Sequence, residues 1–385
     1  MKRKSSIAVL LVFAGSLLGG WLACADAQAQ APLRVGAVLA VSGPAAFLGE
    51  PERKAIVLLQ EQINAAGGIN GRPLEVVIYD SEGDPTKAVT ATKRLIELDN
   101  VLAIVGPSTT GEALAAYPLA ERAKVVMVSG VGSSALTHPV KPWVFRPVVG
   151  NDVVVTKVLE HMKKLGHGKV ATVTPAIAYG EDARTEFVAA APKFGVQVVA
   201  QETYRTADTD MTAQLLRVKA SGANAILSWN VHPSSALLVK NVKQLGLDVA
   251  VYHTHGWSSP RYLQLAGPAS NGNLVPSPKV NLPDALAAND PQRALILRFR
   301  DQFRSKHNED VEYFAGVGYD TLLVVVESMR RGATDRQQIR DGIEKLRGLV
   351  GLTGVFNFSA QDHSGLSVDS LIMLRGQDGK FVLAE

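Results

Sequence analysis

Two apolar runs in this sequence each end in a loop of glycines and hydroxyls. Val101–Val105 runs into Gly106-Pro107-Ser108-Thr109-Thr110-Gly111, and Val125–Val128 runs into Ser129-Gly130-Val131-Gly132-Ser133-Ser134. In an open α/β sheet, ligands settle outside the carboxyl ends of the strands. A helix that starts there presents unpaired N–H groups, which suit an anion. Neither loop carries a charge, so the chemistry they imply is non-covalent capture of a small carboxylate. Ser and Thr at helix starts are also ordinary caps. What distinguishes these is that two such loops lie at successive strand ends.

Other residues suggest reactive chemistry and fall short of it. His253 and His255 lie two apart and share a strand face, with His232 upstream, but no acidic or cysteine partner is near, so no metal is expected. Gly130 to Ala135 fits a loose Gly-x-Gly-x-x-Ala loop, yet Pro139 arrives too soon for the long helix that a dinucleotide needs. There is no Gly-x-Ser-x-Gly elbow and no His-Glu-x-x-His, and nothing places a nucleophile beside Asp362-His363. The expectation is a binding protein without cofactor, not an enzyme. Trp229 and Trp257 suit either a ligand wall or a core.

The elements that hold the two loops alternate strand and helix. Strands are expected at 34–39 and 74–79, then at the two apolar runs, with helices at 50–66 and from Pro85 to about Leu98. Asp84-Pro85 supplies an N-cap and a proline at the first helical position. After Pro139-Val140-Lys141-Pro142 a second series begins. Helices at about 151–165, 181–194, 211–220 and up to 245 alternate with strands at 170–174, 196–200, 225–229 and 249–253. Such alternation argues parallel sheets with helices on both faces. Residues 271–291, rich in Pro and Asn, read as a crossing segment or surface loop. Three helices, near 291–306, 319–331 and 335–346, are expected to return to the first sheet. Terminal strands at 355–358, 368–374 and 380–383 are expected to return to the second.

Lys2-Arg3-Lys4, the uncharged apolar run Ile7–Leu22 and the small residues to Ala31 form the grammar of a secretory signal over 1–29. The only cysteine, Cys24, lies there; Trp21-Leu22-Ala23 fits a lipoprotein signal poorly, so a lipid anchor is the disfavoured rival. Removing Lys2, Arg3, Lys4 and Asp26 leaves 37 basic against 35 acidic residues, a net +2 in place of +4. Charges are interspersed without a basic run, which excludes nucleic acid and membrane surfaces as expected partners. No later run is long and apolar enough to cross a bilayer. About 355 residues remain, more than one core usually holds, so two lobes are expected.

Val41-Ser42-Gly43-Pro44, the block from Ile63-Asn64-Ala65-Ala66-Gly67-Gly68 to Gly71, Tyr79-Asp80, Asp84-Pro85, Gly106 to Thr110 and Tyr179-Gly180 resemble the periplasmic leucine/isoleucine/valine-binding proteins. Phe358 to Leu366 resembles a near-terminal signature of the wider group. The resemblance spans the chain beyond the signal and implies an α/β, two-lobed type I periplasmic-binding protein fold, its lobes joined by several hinge crossings. It implies a carboxylate-holding lobe of 32–148 with 280–348 and a closing lobe of 149–279 with 349–385. It also implies a monomeric receptor that delivers a small carboxylate to an ABC transporter permease; a sensory module of the same fold is the alternative.

The resemblance further implies site residues. Hydroxyls at Thr109 or Thr110, with Ser108 as neighbour, and at Ser133 or Ser134, with backbone near Val131-Gly132, would hold the carboxylate. Tyr179 would close over the ligand, with a further aromatic position within Trp229-Asn230-Val231, Trp229 being its aromatic residue, and pocket positions at Phe314 and Leu48. One departure stands out: where the family holds the ligand's amino group with an acid, this sequence has His255. A neutral imidazole substitutes poorly for a carboxylate facing an ammonium group. With Phe47, Tyr179, Trp229 and Trp257 nearby to stack a ring, the expected ligand is an aromatic or other hydrophobic carboxylate, with a branched-chain amino acid as the alternative.

Overall fold

The computed structural model describes residues 31–384, so the expected leader over 1–29 and Cys24 lie outside the described residues. A first sheet comprises β1 (Leu33–Leu39), β2 (Leu74–Asp80), β3 (Ala103–Val105), β4 (Val126–Val128) and β5 (Val144–Phe145), in the order β2-β1-β3-β4-β5. Every pairing in it is parallel. Its central strands are buried except at Arg34 near the start of β1, which is why they read as continuous apolar runs rather than alternating ones.

Helices α1 (Ala46–Ala65), α2 (Pro85–Glu97) and α3 (Thr110–Arg122) make the crossovers. The Asp84 carboxylate caps α2 as expected, accepting from the amides of Thr86 and Lys87 at 2.7 and 3.0 Å. Helix α1 begins at Ala46 rather than near Glu50. The Gly49 and Pro51 breakers disguise its first turn, and that turn is what carries Leu48 toward the cleft.

The second sheet is built from α4 (Asn151–Leu165), β6 (Lys169–Pro175), α5 (Ala178–Ala190), β7 (Gln197–Tyr204), α6 (Thr212–Ala220), β8 (Ala225–Ser228), α7 (Ser234–Gln244), β9 (Ala250–His253), α8 (Pro260–Ala266) and β10 (Leu274–Pro278). Then come α9 (Arg293–His307), α10 (Tyr313–Arg330), α11 (Arg336–Glu344), the short β11 (Leu349–Val350) and β12 (Val355–Phe356), and finally β13 (Leu371–Gln377) and β14 (Lys380–Leu383). The sheet runs β14-β13-β10-β9-β8-β6-β7, with its last two strands antiparallel to their neighbours. The chain therefore passes between the sheets three times: after β5, after β10 and before β13.

Two expectations change. Residues 274–278, read as part of a crossing, form a fully buried strand of the second sheet. Pro276 and Pro278 hid it, since proline donates no ladder bond. Their spacing of two puts both missing donors on one side, and pairing with β9 is confined to Leu274 and Tyr252, whereas pairing with β13 covers five residues. The run at 355–358 does not join the second sheet. It folds back as the β11–β12 hairpin, beside α10, where the Asp320 carboxylate accepts from the amides of Leu352 and Thr353.

Two of the three late helices pack as expected, α10 on α1, β3 and β4, and α11 on α10 and β4, while α9 reaches α1 through Gln302–Gln62 and Lys306–Glu61. Arg146, fully buried just after β5, donates to Thr137 Oγ1, Val148 O and Ser364 Oγ at 3.2, 3.2 and 2.8 Å. It thereby pins the first crossing to the last.

Candidate functional site

Between the two sheets lies a cavity of about 300 Å³, entered by the loops at the carboxyl ends of both. From the first sheet, Ser108, Thr109, Thr110, Val131 and Gly132 line it. The two loops are tied together by Ser129, whose hydroxyl donates to Pro107 O at 2.9 Å. Gly106 has φ +88 and no room for a side chain, because a Cβ would stand 2.1 Å from Val38 O. That close passage of the loop over β1 brings Ser108 to the cavity wall.

The loop hydroxyls have distinct tasks. Thr109 caps α3: its Oγ1 accepts from Glu112 N at 3.4 Å while its own amide donates to the Glu112 carboxylate at 3.0 Å. This reciprocal box fixes the helix start. Thr110 opens the first turn, whose leading amides have no intrahelical acceptor. Thr110 and Gly111 line the cavity at this helix start, the kind of place where hydroxyls and amides suit an anion.

The opposite wall comes from the second sheet. Tyr179, Val231, His232, His255 and Gly256 line it, with Ile177, Ala178 and Thr206. The Tyr179 hydroxyl pairs with Thr254 Oγ1, and Thr254 Oγ1 lies 3.3 Å from His255 Nδ1. The His255 ring stands edge-on to Tyr313 at 5.3 Å. Burial, reinforced by the charge of Arg146, pulls the His255 pKa down to about 3, so the imidazole is neutral at ordinary pH. Burial likewise pushes the Tyr179 phenol up, keeping its proton.

The two walls meet at Gly132. A Cβ there would lie 2.9 Å from Tyr179 Cε2 and 3.1 Å from His255 Cε1. Gly132 O also accepts from Asn151 N at 2.8 Å. Glycine is required here by the approach of two rings from the other sheet, not by its backbone angle.

Leu48 and Phe314 line the cavity, and so does Tyr313, which the sequence reading did not single out. Tyr313 and Phe314 open α10, and only the tertiary return of that helix places them here. Val231, the last residue of the expected aromatic window, lines the cavity together with His232. Among the described lining residues Glu82 is the only acid, and it sits at the mouth, ion-paired to Lys87 at 2.6 Å and half exposed. No group of three or more His, Cys, Asp or Glu among the described residues is placed to hold a metal ion.

Four expected site residues stand off the cavity. Ser133 is fully buried, and its hydroxyl has no partner among the described residues. Ser134 starts a short 3-10 turn that carries it to the second lobe, where its hydroxyl donates to Asp152 at 3.0 Å and its amide to Asp182 at 3.2 Å. It bridges the lobes and is not part of the cavity lining. Trp229 is fully buried, donates its ring N–H to Asn151 Oδ1 at 3.1 Å and backs Tyr179 at 6.5 Å. Phe47 sits behind the wall, edge-on to Phe314 and His232. Trp257 also belongs to the core, stacked between His253 and Tyr262.

Two α/β lobes joined by three crossings, with an enclosed cleft between strand ends, define a ligand-binding clamp. The family described as periplasmic binding protein matches residues 32–379, and the chain belongs to it. The leucine-, isoleucine-, valine-, threonine- and alanine-binding protein of Pseudomonas aeruginosa is 26% identical over 337 residues, 86% of this chain and 87% of that protein. An extracellular ligand-binding receptor from Rhodopseudomonas palustris HaA2 superposes with a TM-score of 0.86 at 26% identity, covering 92% of this chain and 100% of that one. The branched-chain amino acid transporter substrate-binding protein LivJ of Streptococcus pneumoniae, solved with isoleucine, gives 0.80 at 26% identity, covering 91% and 97%. No helix among the described residues is long and apolar enough to cross a membrane.

Proposed function

We propose that this protein is the extracytoplasmic, periplasmic binding component of an ABC importer, and that it captures a small hydrophobic carboxylate by lobe closure and delivers it to the permease without chemistry. The observation that carries the reading is the polarity of the cleft. One end offers hydroxyls and helix-start amides without any charge; the other offers Tyr179, Tyr313, Phe314 and a neutral His255. An α-ammonium group entering beside His255 would face no carboxylate, since Glu82 is already paired at the mouth. That supports an acid lacking an α-amino group, such as an aromatic acid.

Binding on the first lobe followed by closure of the second explains why Gly132, Tyr179 and His255 converge. A ligand shifts such an equilibrium only by what it gains in the closed form alone.

A branched-chain amino acid is the second reading, favoured by the names of the relatives and by the isoleucine in the Streptococcus pneumoniae protein. A thermal-shift panel of leucine, isoleucine and valine against benzoate and cinnamate separates the two. Stabilisation follows RT ln(1 + [L]/Kd), so a micromolar ligand at millimolar dose registers clearly. A shift with the amine-free acids and none with the amino acids is expected. The reverse pattern refutes the ligand assignment, and no shift with any acid refutes the carboxylate seat.

A further inference from the structure

We infer that Glu52, a buried carboxyl behind the cavity wall, is a positioning residue that decides whether Ser108 presents a hydrogen-bond donor or an acceptor to the ligand carboxylate. The inference rests on the carboxylate reading above and concerns the same end of the cleft.

Ser108 lines the cavity, whereas Glu52 on α1 does not and is only 4% exposed. The Ser108 hydroxyl lies 2.5 Å from Glu52 Oε2 and already accepts the Ala40 N–H at 3.1 Å. A serine hydroxyl has one proton and two lone pairs. If Glu52 is ionised, the proton of Ser108 must point at Glu52. One lone pair is taken by Ala40, and the other faces the cavity, where it repels a carboxylate. If Glu52 is protonated, its O–H donates to Ser108 instead. The serine proton is then free to enter the cavity as a donor. A proton on a group that never touches the ligand thus reverses the polarity of one that does.

The surroundings favour the protonated state. Gly318 of α10 packs directly on the Glu52 backbone, where a Cβ would come within 2.5 Å of its Cα. Glu112 of α3 adds like-charge repulsion. From α10, Tyr313 faces it as a neutral phenol, and Asp320 is turned to residues 352 and 353. On α1 itself, Arg53 and Lys54 are engaged outward with Glu50 and Glu309. The end of β1 contributes the Ala40 amide, and Asp80 of β2 is bound to Val41 and Ser42. Among the described residues no cation pairs with Glu52. Burial, opposed by the Ser108 bond, raises its carboxyl to about 8.

Over pH 7.5–9.5 the other perturbed groups of the lining do not compete. His255 and His232 are held neutral by burial, and Tyr179 and Tyr313 keep their protons.

The test is calorimetric titration of benzoate, cinnamate, 4-methyl-2-oxopentanoate and leucine between pH 7.5 and 9.5, on wild type, Glu52→Gln and Ser108→Ala. For whichever acid binds, the wild-type Kd should rise ~10-fold or more across that window as Glu52 loses its proton. Glu52→Gln, whose amide can donate to Ser108 but cannot ionise, should bind with a flat profile. Ser108→Ala should bind more weakly at pH 7.5 and also be flat, and it carries the comparison if Glu52→Gln does not fold. A wild-type Kd that stays flat, or a variant that keeps the wild-type slope, overturns the inference while leaving the carboxylate reading intact. If none of the four acids binds at pH 7.5, both fall together.

Discussion

Gly132→Ala isolates closure from capture. The substitution adds one methyl at a position whose backbone any residue can adopt, since Gly132 is not among the positive-φ glycines. The new atom would sit 2.9 Å from Tyr179 Cε2 and 3.1 Å from His255 Cε1, inside normal contact. Both rings are buried and held, Tyr179 by Thr254 and His255 by Thr254 and Tyr313, so neither can swing away freely. Overpacking of this kind costs ~1–3 kcal/mol. That cost falls on the closed arrangement alone, because in an open cleft the rings of the second lobe withdraw from the loop. Ligand affinity should therefore fall ~5- to ~150-fold while the ligand-free thermal midpoint changes little. Titration calorimetry reads the first quantity, differential scanning calorimetry the second, and small-angle scattering the ligand-induced compaction. An affinity within twofold of wild type, with compaction intact, would refute the claim that the two walls meet at Gly132 when ligand is held.

Four further outcomes follow from the same geometry. Thr110→Ala should weaken carboxylate binding by ~1.5–3 kcal/mol, the range for a hydrogen bond to a charged group; an unchanged Kd would remove Thr110 from the seat. His255→Glu should shift preference from cinnamate toward leucine in paired titrations, and the idea fails if the ratio of the two constants stays put. Arg146→Met removes a buried cation with three hydrogen bonds and should lower stability by ~3 kcal/mol in urea unfolding; a loss below ~1 kcal/mol would mean the crossings are not pinned by it. Burial raises Glu52 to about 8 and Asp320 and Glu186 to about 7, so folding takes up protons above the ordinary carboxyl range. Below about pH 6.5 the buried histidines, held neutral in the native state, oppose this by taking up protons only on unfolding. Above about pH 7 they are neutral in both states, the native protein binds more protons than the unfolded one, and stability should fall as pH rises from 7 to 9. A thermal midpoint that climbs from pH 7 to 9 would contradict the sign.

Most of the architecture is written locally. Continuous apolar runs, the Asp84-Pro85 start and the Asn64–Gly71 turn each mark an element boundary through their own chemistry, and the structure keeps them. The loops after β3 and β4 could be read because a cradle built from hydroxyls and amides is contiguous in sequence. What could not be read depends on return paths of the chain. The strand at 274–278 is disguised by Pro276 and Pro278, tolerated because a neighbouring antiparallel strand from the far end of the chain completes its pairing. Tyr313 reaches the cavity only because α10 folds back over the first sheet. Ser134 and Trp229 have the right residue types, but their partners, Asp152 and Asn151, both lie on α4 and hold them off the cavity. The role of Glu52 is invisible in sequence, since its meaning comes from a serine 56 residues away.

The central claim is that a carboxylate rests on the hydroxyl-and-amide end of the cleft while rings of the other lobe close over the remainder. A crystal structure with the tightest-binding acid of the panel tests it most directly. The two carboxylate oxygens should lie within hydrogen-bond distance of Thr110 and Ser108, with the apolar body against Tyr179, His255 and Phe314. A carboxylate turned toward His255, or a ligand bound outside the cleft, would contradict it.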